Sequence, residues 1–197
     1  AAEKSTTLES MKTRIRDVAK AAKQTSRLTQ QLLSMEHISQ RSIKSEFKKL
    51  NLVIITQEIL TKFALRADKQ KVSLSLICHE SQIYVVGSET FLSEAIDNLV
   101  DNALLYGCPN EGTIVVQLRL ESNFVELLIK DDGKGIKPEL LGNVFDRFFH
   151  DSKSNNGGSG LGLSIAKTII ELHDGTLSLN SDENGTSLLI SIPQLQS

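Results

Sequence analysis

The sequence contains no tryptophan, only two tyrosines and only three prolines, and its two cysteines, Cys78 and Cys108, stand alone. Without CxxC spacing neither a disulfide framework nor a zinc site is expected, and a reducing compartment is. Nothing approaches the run of about 18 apolar residues that a membrane span needs, and no signal-peptide pattern opens the chain. As given, the polypeptide is therefore expected to be soluble and cytoplasmic. A surplus of positive charge is also missing: 22 Lys and Arg against 24 Asp and Glu leave a formal charge of −2. Nucleic acid demands a basic footprint, so it is not expected as a partner.

Glycine and proline are absent from Ala1 to Gln40, where lysine, arginine and glutamine are frequent. Leu8, Met11, Ile15, Val18, Ala22, Thr25, Leu28, Leu32 and Met35 recur there at spacings of three and four, close to a heptad seam. One long helix is expected over 1–42; such a stripe is marginal alone in water and wants a partner, so a homodimer through this helix is one outcome. Residues 43–50 lose the period, become basic and read as a linker into a short first strand, and 51–197 read as one globular domain.

Within that domain Asn51 caps a helix from Leu52 to about Ala67, with an apolar face of Val53, Ile54, Ile59, Leu60 and Phe63. Val72, Leu74 and Leu76 alternate with serines as in a half-buried strand, and Ile83 to Val86 form another that ends at Gly87. Ser88 caps the next helix. Thr113–Leu120 and Phe124–Lys130 read as strands joined by a tight turn at Ser122 and Asn123. Pro138 starts a short helical turn, Ser159–His173 is a helix, and Thr176–Asn180 with Thr186–Ile192 form a closing hairpin. Strands and helices without strict βαβ alternation imply a two-layer α/β sandwich.

Four segments carry chemistry. In EAIDNLVDNALLY (Glu94–Tyr106) the apolar residues make one helix face, while Asn98 and Asn102 stack four apart on another. Asparagine competes for backbone hydrogen bonds in helices, so the pair either caps and bridges neighbouring loops or supplies neutral oxygens to a hard cation such as Mg2+. DDGKGI places Asp131 at a strand end beside Gly133, Gly135 and Ile136. An ionised carboxylate accepts only, which suits an exocyclic amino group; stabilising its own turn is the alternative. Tyr106 is either a stacking platform or a core tyrosine. VFDRFF holds Arg147 between phenylalanines. GGSGLGLSIAK opens a helix with Gly158, Gly160 and Gly162 around Leu161 and Leu163, so backbone N–H groups can meet phosphate oxygens. No GK[ST] follows, which excludes a Walker loop, and no βαβ unit frames a dinucleotide fingerprint. The polar stretch 150–158, with Lys153, reads as a loop that is functional or disordered.

In their order and spacing these four segments resemble the asparagine, first glycine, phenylalanine and second glycine boxes of two-component sensor histidine kinases. The resemblance implies the Bergerat ATP-binding fold, a mixed sheet with three helices on one face, shared with gyrase, heat-shock chaperone and MutL proteins. It implies Mg-ATP as ligand, Asn102 as the metal ligand, Asp131 as the reader of adenine and Tyr106 as its stacking partner. Asn98 and Arg147 are the candidate catalytic residues, with Arg147 and Lys153 reaching the γ-phosphate. The TSRLTQQLLSMEH run resembles the second helix of the dimerisation hairpin, but the His-Glu-and-proline phosphoacceptor motif is absent; His37 lacks the residues that should follow it. A phosphoacceptor histidine elsewhere, a response regulator and an inner-membrane-anchored parent are thus implied, and no self-sufficient autophosphorylation. An ATP-hydrolysing clamp of the same fold would carry a glutamate where Asn98 stands; a serine-phosphorylating anti-sigma module is the third alternative.

Overall fold

The computed structural model describes residues 47–149 and 159–195, together with Arg14 and Lys44. The long helix expected over 1–42, His37, His150, Lys153 and Gly158 lie outside the described residues.

Strand β1 (Lys48–Asn51) pairs antiparallel with β3 (Tyr84–Gly87). Between them run helix α1 (Leu52–Lys69) and β2 (Val72–Cys78). Asn51 caps α1 as expected, its side chain accepting from Val53 N–H at 3.1 Å. The same oxygen accepts from Ile83 N–H at 3.2 Å, so one amide ties the helix start to the neighbouring strand. The apolar face of α1 differs from expectation at Ile54 and at Leu60, which is only half-buried. Ile54 is exposed, and Leu52, Ile55 and Thr56 are buried instead, Thr56 returning its hydroxyl to Leu52 O.

Helix α2 (Glu89–Asn102) continues without a break into a π-helical turn, Ala103–Gly107. Ser88 holds the N-cap position but makes no side-chain capping bond. Strands β4 (Gly112–Glu121) and β5 (Phe124–Asp131) meet in the expected hairpin, with Ser122 at φ 55°. A short α3 (Pro138–Leu141) precedes helix α4 (Gly162–Leu172), which starts three residues later than the sequence suggests. Strands β6 (Thr176–Asp182) and β7 (Gly185–Pro193) complete the main sheet.

That sheet has the order β2-β4-β5-β7-β6, with β2 and β4 parallel and the other pairs antiparallel. Helix α1 packs on β2 and on α2, α2 packs on α4, and α4 packs on β6, giving the helical layer of a two-layer sandwich. Cross-strand register explains where the core stops. Leu118, Leu127 and Ile190 form one row and Val116, Ile129 and Leu188 the next, all buried. One step further the row reads Ile114, Asp131, Thr186, Ser181, so the same face turns polar at the strand ends. Side chains alternate with period two, so Asp131 occupies what would otherwise be a core position.

At the opposite end of the helical layer, His173 is buried and neutral. Its Nε2 accepts from Ser88 N–H at 3.1 Å, Nδ1 donates to Ile169 O at 2.7 Å, and its ring stacks on Phe47 with centroids 4.6 Å apart. Burial pushes its pKa below the ordinary 6.5, Lys44 adding to this and Asp174 opposing it. Protonating Nε2 would set two N–H donors against each other. The unfolded chain therefore takes up a proton first as the pH falls, and stability is lost below about 6.5 by up to about 1.4 kcal/mol per pH unit. A melting temperature constant from about pH 8 to 7 and falling by several degrees towards pH 5 is expected, with the slope reduced in His173→Gln.

Candidate functional site

The polar row at the sheet end meets the end of α2. Asn98 is buried and Asn102, one turn on, is half-buried at the helix terminus. Helix α2 reaches this position because Leu92, Ala95, Ile96, Leu99 and Val100 are buried along its apolar stripe. Its polar flank is held to α1 by ion pairs, Lys62 with Asp97 and Arg66 with Asp101. The i, i+4 spacing then places both amides towards the start of α4. A methyl group built on Gly162 would lie 3.5 Å from Asn98 Oδ1 and from Asn102 Nδ2, and 3.6 Å from Asn102 Oδ1.

Asp131 lies on the other side of the π turn and is also buried. Its Oδ1 accepts from Gly133 N–H at 3.0 Å and Thr186 N–H at 3.2 Å. Burial raises its pKa, the two N–H groups pull it down, and nearby Asp132 raises it again, for a net upward shift. Gly107, the last residue of the π turn, sits directly against this carboxylate: a Cβ there would come within 2.5 Å of Asp131 Cγ. Asn102, the π turn and Asp131 are therefore contiguous, and Asn98, Asn102, Gly162 and Asp131 share one side of the domain.

The π turn was not legible in the sequence, which suggested plain helix through Tyr106. Cys108 N–H closes it on Ala103 O at 2.8 Å, and Gln70 Nε2 braces it by donating to Leu104 O at 3.3 Å and Pro109 O at 2.9 Å. A widened turn of this kind commonly marks a functional position. Here it carries Tyr106, half-buried, between Asn102 and Gly107. Cys108 itself is buried and donates to Asp132 at 3.3 Å; burial first and then Asp132 push its thiol up to about 11, so it is inert rather than reactive.

Gly133, Gly135 and Gly160 are each pressed against the backbone of another segment. A Cβ on Gly133 would fall 2.2 Å from Gly107 O, and one on Gly135, at φ 65°, would fall 1.7 Å from Asp182 O. Gly160, at φ 68°, is pressed against the backbone of Phe148 and Phe149, and its carbonyl accepts from Phe148 N–H at 2.9 Å. These glycines allow protein segments to approach one another. Leu161, fully buried, pins the start of α4, while Leu163 is half-buried. Ile136 is held by a hydrogen bond to Ser181. Arg147 is exposed beside Phe148, which protrudes at φ 62°, and Phe145 lies under Lys167 Nζ at 5.3 Å. Thr186, whose N–H holds Asp131, was missed, because a backbone donor leaves no mark in the sequence.

Among the described residues no group of three or more His, Cys, Asp and Glu side chains is placed to hold a metal. The donor set that is present, two amide side chains facing a helix start, fits Mg2+ bound largely through the oxygens of a phosphorylated ligand.

Residues 87–196 match the family of histidine kinase-, DNA gyrase B-, and HSP90-like ATPases. The chain belongs to this family. Among individual members of that ATPase family it is similar to the sensor protein kinase PmrB of Pseudomonas aeruginosa, at 30% identity over 89% of this chain and 36% of that protein. It is also similar to the sensor histidine kinase CusS of Escherichia coli K12, at 32% identity over 85% of this chain and 35% of CusS. The chain thus spans about a third of the length of the curated relatives it matches. Among solved structures the catalytic domain of histidine kinase ThkA superposes with a TM-score of 0.69 at 25% identity, covering 75% of this chain and 95% of that one. ThkA has also been solved in complex with the response regulator protein TrrA.

Gly162 offers a direct test of the helix start as a ligand contact. The built methyl meets its neighbours at ordinary contact distance, so Gly162→Ala should fold with an unchanged or slightly higher melting temperature. The same methyl occupies the space between the two amides and anything bound at the helix start. Mg-ATP affinity measured by calorimetry is expected to fall about 10- to 100-fold.

Proposed function

We propose that this chain is the ATP-binding catalytic region of a two-component sensor histidine kinase, holding Mg-ATP and presenting its γ-phosphate to a histidine on a separate segment. The observation that carries this is the contiguity of a buried, doubly hydrogen-bonded aspartate with two helix-borne amides and a glycine helix start. A ligand with an amino-bearing base at one end and phosphates at the other matches that order. Asp131 Oδ2 accepts from the adenine amino group while Oδ1 stays occupied by Gly133 and Thr186. Tyr106 stacks on the base. The backbone of Gly160, Leu161, Gly162 and Leu163 meets the phosphates at the positive end of α4, and Gly158 is assigned to the same role by its sequence motif alone.

Asn102, assisted by Asn98, would hold Mg2+, and the bound ion would neutralise charge on the phosphates. Phosphoryl transfer needs positioning and charge neutralisation more than covalent help. Arg147, with Lys153, supplies positive charge at the γ-phosphate; as the imidazole nitrogen bonds to Pγ in line, the bond from Pγ to the β–γ bridging oxygen breaks and ADP leaves with that electron pair. Asn98 has no basic oxygen to activate water, which favours transfer to a protein over hydrolysis and disfavours the gyrase-like alternative.

The domain division into 1–42, 43–50 and 51–197, a homodimer through the first segment, a response-regulator partner and an inner-membrane-anchored parent belong to the same proposal. The response-regulator partner is supported by the ThkA–TrrA complex, and the sensor role by the naming of PmrB and CusS as sensor kinases. Among the described residues no helix is long and apolar enough to cross a membrane.

The test is incubation with γ-labelled Mg-ATP and a sensor-kinase phosphoacceptor hairpin supplied as a second polypeptide. Label that is labile in acid and stable in alkali is expected on the hairpin. Acid-stable label on serine, or release of free phosphate without labelled protein, would contradict the kinase assignment.

A further inference from the structure

We propose that Ser181 is a positioning residue for the nucleotide base: it fixes the Asp131–Ile136 loop from the far side and so governs selectivity for adenine. The inference rests on the nucleotide site proposed above. Ser181 ends the same cross-strand row as Asp131, with Thr186 between them. Its Oγ accepts from Ile136 N–H at 2.8 Å, donates to Gly185 O at 3.0 Å, and lies 2.9 Å from Thr186 Oγ1. A hydroxyl offers one donor and two acceptor positions. With Thr186 donating to it, Ser181 is saturated by protein and is left no capacity for a ligand, so it acts through the loop it holds.

The loop is clamped at both ends by the β6–β7 hairpin. At its start, Thr186 N–H holds Asp131 Oδ1, and Gly185, at φ 133°, packs so closely that a Cβ would stand 2.0 Å from Asp131 O. At its end, Gly135 lies against Asp182 O and the next residue, Ile136, is tied to Ser181. Between these clamps Asp132 is tied to Thr113, whose N–H it accepts at 2.7 Å, and Gly133 donates to Asp131 Oδ1 at 3.0 Å, so the Ile136–Ser181 bond is what holds the far end of the loop after Gly133. Removing the Ser181 hydroxyl frees the Ile136 N–H and opens one clamp. The loop then shifts at its far end and carries with it the Gly133 N–H that sets Asp131 Oδ1, which loosens the aim of the carboxylate at the base and weakens amino-group recognition while leaving the phosphate end of the site untouched.

The experiment measures ATP and GTP affinity by calorimetry for the parent chain, Ser181→Ala and Ser181→Thr, with and without magnesium. For Ser181→Ala, ATP affinity is expected to fall roughly three- to tenfold, the size of one neutral hydrogen bond. Its ATP-over-GTP preference is expected to shrink, and its magnesium dependence to stay as in the parent. Ser181→Thr keeps the hydroxyl at a strand position that tolerates β-branching and should restore the preference. A lowered melting temperature with an unchanged ATP-over-GTP ratio would overturn the proposal, as would a Thr variant no better than Ala. Should Ser181→Ala fail to fold, amide exchange in the parent decides: Ile136 N–H is expected to be protected well beyond a free loop amide, and unprotected exchange overturns the proposal. A parent chain that binds no ATP refutes the nucleotide site itself; a parent that binds ATP selectively alongside an equally selective Ser181→Ala refutes only the role of Ser181.

Discussion

Asp131→Asn is expected to weaken ATP binding about 10- to 100-fold and to abolish preference for adenine, with little loss of fold stability. The replacement is isosteric, and an asparagine Oδ1 can still accept from Gly133 and Thr186 N–H. What changes is the other arm, where an acceptor becomes an NH2 donor facing the amino group of the base. A hydrogen bond to an ionised group contributes about 1.5–3 kcal/mol, and leaving buried groups mismatched adds to the loss. The carboxylate also sets a pH dependence. Its pKa is raised by burial, so protonation begins at a higher pH than for an ordinary aspartate. ATP affinity should therefore decline in mild acid, full above the raised pKa and lost as the pH falls through it, and Asp131→Asn should lack that decline. Titration of ATP and GTP across pH for both proteins checks each part.

Asn102→Ala is expected to remove the magnesium dependence of binding and to reduce phosphoryl transfer on the order of 100- to 1,000-fold. Asn102 closes α2 and its amide lies 3.5–3.6 Å from the methyl position on Gly162, at the gap a phosphate-bound cation would enter. No carboxylate or histidine cluster among the described residues can replace it. Charge stabilisation by a positioned cation is worth several kcal/mol, which sets the size of the loss. Alanine retains the helix and the half-buried Cβ, so the variant should fold. Affinity measured with and without magnesium should become equal, whereas Asn98→Ala, one turn deeper and buried, should lose affinity while keeping some metal dependence.

The asparagine pair and Asp131 were legible because their signals are local: an i, i+4 repeat on an apolar helix, and a carboxylate where a strand ends. The hairpins β4–β5 and β6–β7 were legible for the same reason. What escaped depends on segments far apart in sequence. The π turn is braced from outside by Gln70, which reaches across to Leu104 O and Pro109 O, and no local pattern at Ala103–Gly107 announces an i+5 register. Ile54 looked like a core residue by composition, but the packing of α1 on β2 and α2 turns it outward and buries Leu52 and Ile55. The glycines were recognised as important from their motif, and the structure adds a packing reason that the sequence does not carry. Gly133 and Gly135 are small because Gly107 and Asp182 come within contact of them, and such contacts are invisible until the chain is folded.

The most direct measurement is backbone and side-chain amide NMR of the domain titrated with a non-hydrolysable Mg-ATP analogue. The account predicts simultaneous shifts at Gly107, Gly133, Asn102 and Gly162, with the Asn102 side-chain NH2 responding only when magnesium is present. Shifts confined to another surface, such as the groove lined by Lys130, Asn180 and Ser187 on the sheet, with Gly133 and Gly162 unmoved, would contradict it.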